Sequence, residues 1–158
     1  MFVPPAKATK ENLYSDKYQR RIMEYGFSKE NIHVLNYFEP DKSRNLNIDA
    51  IYVGGGNTFL LLDRLRKCNF DKDIINYVNN GIIYIGGSAG THIVTRNIKH
   101  VLNFDENTAK MTNFKGLGLF NGIIICHYDK SREKILKSIN SKYKIYTLKD
   151  DEYIIYTK

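Results

Sequence analysis

Cysteine is scarce in this chain of 158 residues: only Cys68 and Cys126 are present. Two thiols cannot build a disulfide framework, so a small stapled secreted fold is not expected. Long hydrophobic runs are lacking too. The longest, Gly81-Ile82-Ile83-Tyr84-Ile85 and Gly122-Ile123-Ile124-Ile125-Cys126, fall far short of the about 20 apolar residues of a membrane span. They read instead as buried strands. No charged head followed by a long apolar segment opens the chain, so no secretory leader is expected, and two reduced thiols suit a cytoplasmic protein. The connections are poor in glycine and proline, which leaves no visible linker. Residues 1–158 therefore read as one domain, without internal repeats or a low-complexity tail.

Charge of one sign predominates: 24 Lys and Arg against 17 Asp and Glu give a formal net charge of +7. Such a balance raises the question of nucleic acid. The lysines are scattered, however, and alternate with Asn, Asp, Glu and Ile. There is no Arg-rich stripe, no aromatic RNA-binding signature and no zinc-finger spacing. The twelve tyrosines sit mostly inside apolar runs, as core or sheet residues do. The expectation is a solvated basic surface with no nucleic-acid partner, one whose field also welcomes small anionic substrates.

What is present is an alternation of apolar patterns. Strands are expected at Asn31 to Leu35, Asp49 to Val53, Ile82 to Ile85 and Ile123 to Cys126, with a closing pair at Tyr143 to Leu148 and Tyr153 to Tyr156. Helical spacing marks Lys10 to Tyr25, a stretch carrying Phe59, Leu60, Leu61, Leu62 and Leu65 with Asn57 or Thr58 as its cap, Phe70 to Val78, Ala89 to Asn97 and Lys130 to Ile139. Alternating strands and helices imply an α/β fold, a mostly parallel sheet with helices on both faces.

Gly86-Gly87-Ser88-Ala89-Gly90 fits G-x-S-x-G and lies between an apolar strand and a helical pattern, the context of a nucleophile elbow. Small flanking residues permit a tight turn that lifts the Ser88 hydroxyl into a cleft. A glycine-rich turn with a capping serine is the plainer reading. Gly54-Gly55-Gly56-Asn57 also ends a strand and opens a helix; it is a plain tight turn, an anion cradle or half of an oxyanion hole facing Ser88. A serine nucleophile needs a base. His33 reads as structural or exposed, His92 lies one turn past Ser88, and His100 falls in a loop. His127 ends an apolar strand, at the edge where ligands collect in open α/β sheets. Its neighbour Cys126 points to the opposite face of a strand and reads as a buried structural thiol. Candidate orienting acids are Asp105 and Glu106, between Ser88 and His127, and the turn of Asp150, Asp151 and Glu152.

Taken together, Val53-Gly54-Gly55-Gly56-Asn57-Thr58-Phe59 with Leu61-Leu62, then Tyr84-Ile85-Gly86-Gly87-Ser88-Ala89-Gly90, then Ile125-Cys126-His127-Tyr128 resemble the S51 peptidases. That family includes dipeptidase E and, more distantly, cyanophycinases. The resemblance implies a flavodoxin-like sheet, akin to class I glutamine amidotransferases. It implies Ser88 as nucleophile, His127 as base, and the amides of Gly56 and Ala89 as the oxyanion hole. The dipeptidase E acid falls at Asn103, with Asp105 two residues on; the cyanophycinase acid falls near Asp150. Asp150 is taken first and Asp105 second. The family pattern also begins one strand and helix earlier, so the domain is expected to be truncated at both ends.

The implied activity is a serine-type peptidase acting on small peptides, N-terminal aspartyl dipeptides in particular. Arg96 and Arg132 are the nearest arginines for an aspartyl carboxylate. No metal, organic cofactor or membrane is implied, and a homodimer fits the family. Two other readings stand beside it. One is an α/β-hydrolase-type esterase, because Ser88, Asp105 and His127 follow that chain order. The other is a non-catalytic or degenerate S51-like protein.

Overall fold

Five short parallel strands and five α-helices, with four short 3-10 turns between them, follow one another among the described residues of a computed structural model, which describes residues 1–157, with only the backbone of Arg21. The strands are β1 (Phe2–Val3), β2 (Ala50–Val53), β3 (Ile83–Gly86), β4 (Ile123–Ile125) and β5 (Ile145–Thr147). The helices are α1 (Asp16–Glu24), α2 (Thr58–Lys67), α3 (Phe70–Asn79), α4 (Ala89–Ile93) and α5 (Glu133–Ser138). One sheet has the order β1-β2-β3 and a second joins β4 to β5, all by parallel pairing.

Register decides which side chains meet which helix. Phe2 pairs with Tyr52 and Tyr52 with Ile85, so these three share one face; Val3, Val53 and Gly86 share the register on the other. On the first face Ile22 of α1 packs against Phe2 and Tyr52. On the second, Val3, Ile51 and Val53 join Leu61, Leu62 and Leu65 of α2 and Phe70 and Ile74 of α3. Helices thus cover both faces. The first face is covered less completely, since Ile83 stays 61% exposed on the outermost strand β3. No helix among the described residues is long and apolar enough to cross a membrane.

Several elements depart from the sequence reading, each for a local reason. The helix expected over Lys10 to Tyr25 begins only at Asp16, because Asn12 Oδ1 takes the Thr9 N–H at 2.8 Å and holds that stretch in turns. The strand expected at Asn31 to Leu35 shrinks to a single bridge between Val34 and Phe2. Its partner β1 is cut short by Pro4 and Pro5, which have no N–H to offer a ladder. The helix after Ser88 ends at Ile93 rather than reaching Asn97. The closing strand pair does not form. Ile145–Thr147 pairs with β4 in parallel across α5, and 153–156 joins no ladder.

The joint that positions the site lies between the end of β2 and the start of α4. Gly87 N–H donates to the Val53 carbonyl at 2.9 Å and Gly90 N–H to the Gly54 carbonyl at 3.2 Å. A Cβ on Gly90 would run into the Val53 carbonyl oxygen. Replacing Gly90 by alanine should therefore destabilise the protein by about 3 kcal/mol, read as a fall in the thermal midpoint. An unchanged midpoint would mean that β2 and α4 are free to move apart.

Candidate active site

The backbone at Ser88 is bent out of the ordinary range. Its φ of 49° and ψ of −106° place it where L-residues rarely sit, between β3 and the first residue of α4. The turn projects the side chain beyond the C-terminal edge of the sheet while the bonds of Gly87 and Gly90 hold the backbone down. His127 also has a positive φ, 53°, just after β4. Conformations of this kind cost about 1–3 kcal/mol each and persist where the surroundings enforce them. Here they turn two side chains from separate strands toward each other.

The result is a hydrogen-bonded row of three. His127 Nε2 lies 2.9 Å from Ser88 Oγ, and His127 Nδ1 is hydrogen-bonded to Asp150 Oδ1. Asp150 reaches this place because Tyr128 N–H donates to the Leu148 carbonyl and Leu148 N–H to the Ile125 carbonyl, both at 2.9 Å. Those two bonds lay the segment after β5 alongside the end of β4. The side chain of His127 is 49% exposed and that of Asp150 80%, so the pair stands in water.

Gly55 and Gly56 flank this row. A Cβ on Gly55 would come within 3.3 Å of Ser88 Cβ, which places the glycine loop against the serine. Gly56 has φ +128°, a conformation that only glycine takes without strain. Ala89 is the first residue of α4, where backbone N–H groups have no partner inside the helix. Loop and helix start thus meet beside one hydroxyl, a geometry that suits a developing oxyanion.

The other sequence candidates lie elsewhere. Asp105 is turned to the start of α2, where Oδ2 accepts the Thr58 N–H at 2.7 Å. Asn103 donates to the His100 carbonyl at 2.8 Å. His33 is exposed. Cys126 is buried, with its thiol pushed up to about 11 by that burial, which suits a packing role. Arg132 stands next to the row: Nη1 donates to the Cys126 carbonyl at 2.6 Å and the guanidinium stacks 4.6 Å over the Phe104 ring. Arg96 instead bonds Asn121 and lines a basic cleft that contains neither Ser88 nor His127.

Two buried imidazoles escaped the sequence reading as a pair. His92 and His100 meet edge to face with ring centroids 5.6 Å apart. His92 Nδ1 lies 3.2 Å from Thr58 Oγ1, and His100 Nε2 lies 3.0 Å from the Ile124 carbonyl. The remaining ring nitrogens, His92 Nε2 and His100 Nδ1, are buried without a partner. The signal available in the sequence was the spacing of His92 from Ser88, one helical turn.

The whole chain, residues 1–158, matches the model of peptidase family S51. The chain belongs to that family. It is 29% identical to the uncharacterized peptidase Lmo0363 of Listeria monocytogenes, over 97% of this chain and 79% of that protein. It is 35% identical to a probable alpha-aspartyl dipeptidase of Drosophila melanogaster, over 81% of this chain but 51% of that one. A crystal structure from Listeria monocytogenes EGD-e, described as a peptidase E protein, superposes with a TM-score of 0.66 at 27% identity, covering 93% of this chain and 75% of that one. Against several curated relatives, then, the chain spans little more than half of their length.

Burial drives the His92 pKa from 6.5 down to about 3, with electrostatic contributions from His100, His127 and Arg132 adding to the shift. His100 moves in the same direction. Between those two pH values the unfolded chain binds the proton and the folded chain refuses it, so stability falls as pH drops below about 6.5. At about pH 4.5 the His92 contribution amounts to a loss on the order of 3 kcal/mol. Urea midpoints at neutral pH and at about pH 4.5 check this, and the fall should shrink in His92→Asn. A pH-independent midpoint in the wild type would contradict a buried neutral His92.

Proposed function

We propose that this S51 chain is a serine peptidase that hydrolyses small peptides through an acyl-enzyme. The observation that carries the reading is the row Asp150–His127–Ser88, with His127 Nε2 at 2.9 Å from Ser88 Oγ. His127 accepts the Ser88 proton as Oγ attacks the peptide carbonyl carbon. The carbonyl oxygen becomes an oxyanion, held by the N–H groups of Gly56 and Ala89. The C–N bond then breaks, His127 gives its proton to the departing amine, and an acyl-Ser88 ester is left. Water repeats the sequence: His127 takes its proton, hydroxide adds to the ester carbon, and Ser88 leaves with the proton returned by His127. Asp150 keeps Nδ1 protonated so that Nε2 faces the serine, and its charge favours the imidazolium.

For substrate, the reading is an N-terminal aspartyl dipeptide. The name of the Drosophila relative supports it, as does the place of Arg132, whose guanidinium lies one residue from the base and is the nearer of the two candidate arginines. An acidic substrate also suits the net charge of +7.

Hydrolysis of a dipeptide panel led by Asp-Leu tests the reading. The wild type should turn over Asp-Xaa pairs, and Ser88→Ala should show no activity above background. Asp150→Asn should lower kcat by about 100- to 10,000-fold. Arg132→Ala should raise KM for Asp-Xaa far more than for Ala-Xaa pairs. A folded wild type that hydrolyses esters but no dipeptide would move the assignment to an esterase, and one inert to both substrates and to fluorophosphonates would make the chain a non-catalytic member of its family.

A further inference from the structure

Behind the glycine loop lie three polar side chains that take no part in the acyl transfer just described. Two of them, Asp105 and His92, converge on the third, Thr58, the fully buried first residue of α2, two residues after Gly56. Its N–H donates to Asp105 Oδ2 at 2.7 Å, across 47 residues of chain. Its Oγ1 meets His92 Nδ1 at 3.2 Å. Between Gly56 and Thr58, Asn57 Oδ1 accepts the Leu60 N–H at 3.0 Å and Nδ2 donates to the Glu106 carbonyl at 2.8 Å.

A helix start needs less than this. Asn57 alone supplies the side-chain cap. The additional ties reach in two directions that matter for the loop. Asp105 and Glu106 fix it from outside α2. His92 ties it to the nucleophile's own helix, because the His92 N–H donates to the Ser88 carbonyl at 3.0 Å. His92 therefore connects the backbone of Ser88, through its own N–H, to Thr58 behind the glycine loop, through its ring. His92 holds this place at a cost, being buried with Nε2 unpartnered. An apolar side chain would fill that volume without such a cost, so the hydrogen bond to Thr58 is what the imidazole adds.

We propose that Asp105, Thr58 and His92 are positioning residues that hold the Gly56 N–H in place for the oxyanion of the acyl transfer. The proposal rests on the serine-peptidase reading. It also gives Asp105 a role different from that of a triad acid. As a positioning residue Asp105 acts through an acceptor oxygen, which asparagine retains. As a triad acid it would act through its charge, which asparagine lacks. Thr58 acts through its hydroxyl, which serine retains and valine lacks. His92, being shared by loop and helix, transmits any shift of one to the other. A displacement of about 1 Å at such a site costs on the order of 100-fold in rate, and losing an oxyanion donor costs about 100- to 1,000-fold.

The experiment compares wild type with Asp105→Ala, Asp105→Asn, Thr58→Val and Thr58→Ser on an Asp-Xaa dipeptide. Affinity for a peptide boronic acid, which places a tetrahedral oxygen in the hole, is measured in parallel, together with thermal midpoints. Asp105→Ala and Thr58→Val should lose about 10- to 100-fold in kcat with KM within about twofold. Boronate affinity should fall in proportion, and Asp105→Asn and Thr58→Ser should recover kcat to within about threefold. Equal losses in Asp105→Ala and Asp105→Asn would overturn the proposal in favour of a charged acid. So would activity losses that track the midpoints without a change in boronate affinity. Full activity in Asp105→Ala and Thr58→Val beside an active wild type would sink the positioning role and leave the peptidase reading intact. A folded wild type with neither turnover nor fluorophosphonate labelling of Ser88 would bring down both.

Discussion

Between helix α4 and the last residues of β2 there is no room for a side chain. Gly90 rests against the Val53 carbonyl and its N–H is spent on Gly54. Everything around Ser88 depends on this contact. It forces the chain to reverse within two residues of β3, which drives Ser88 to positive φ. It also brings the glycine loop, as the continuation of β2, against the serine it faces. A longer or looser connection would separate the glycine loop from the helix start that it now adjoins. The sheet thus contributes more than a scaffold: the adjacent parallel strands β2 and β3 end together, so their turns end together.

Much of this was legible in the sequence because it is local. Gly86-Gly87-Ser88-Ala89-Gly90 carries its own geometry, since the small residues are required by the turn they make. The apolar runs before both glycine turns predict the strands that end there. The choice between Asp105 and Asp150 was not legible in the same way. Both are carboxylates in polar stretches, and the difference lies in which distant backbone each one meets. Asp105 finds the Thr58 amide; Asp150 is carried to His127 by the parallel pairing of β5 with β4. Nothing in Leu148-Lys149-Asp150-Asp151-Glu152 states that pairing. The same gap explains the mistaken closing hairpin. Tyr153 to Tyr156 has strand-like residues, but Ile145–Thr147 had already found a partner across α5, and propensity alone builds no ladder.

Around its site the chain gives up stability at several positions. Two non-glycine residues in it hold positive φ, and two imidazoles behind it are buried with unpartnered nitrogens. Each is a local cost with no return in packing. Away from the site the core is conventional, with Leu61, Leu65, Phe70, Ile74 and Ile93 fully buried between helices and sheet. Positive φ at Asn45, Asn69 and Lys110 and the unpartnered Asp71 Oδ1 lie away from the site, so strain by itself does not mark it; what sets the site apart is that two strained backbones there bring Ser88 and His127 within hydrogen-bond distance.

That pattern also bears on what orients His127. A contact as open to water as that between His127 and Asp150 contributes little by itself, because solvent screens it and both side chains lose freedom in forming it. The imidazole is aimed instead by backbone: by the positive φ of residue 127, by Arg132 holding the Cys126 carbonyl, and by the bonds that bind 125–128 to Leu148. The contact of Asp150 with Nδ1 then favours one ring tautomer of an imidazole already placed. A peptide lying over the site would exclude water from the pair, and the same contact would become stronger as the dielectric around it fell. On the proposed mechanism the electrostatic contribution of Asp150 is thus greatest with a peptide in place, while the placement of His127 by its backbone is present beforehand.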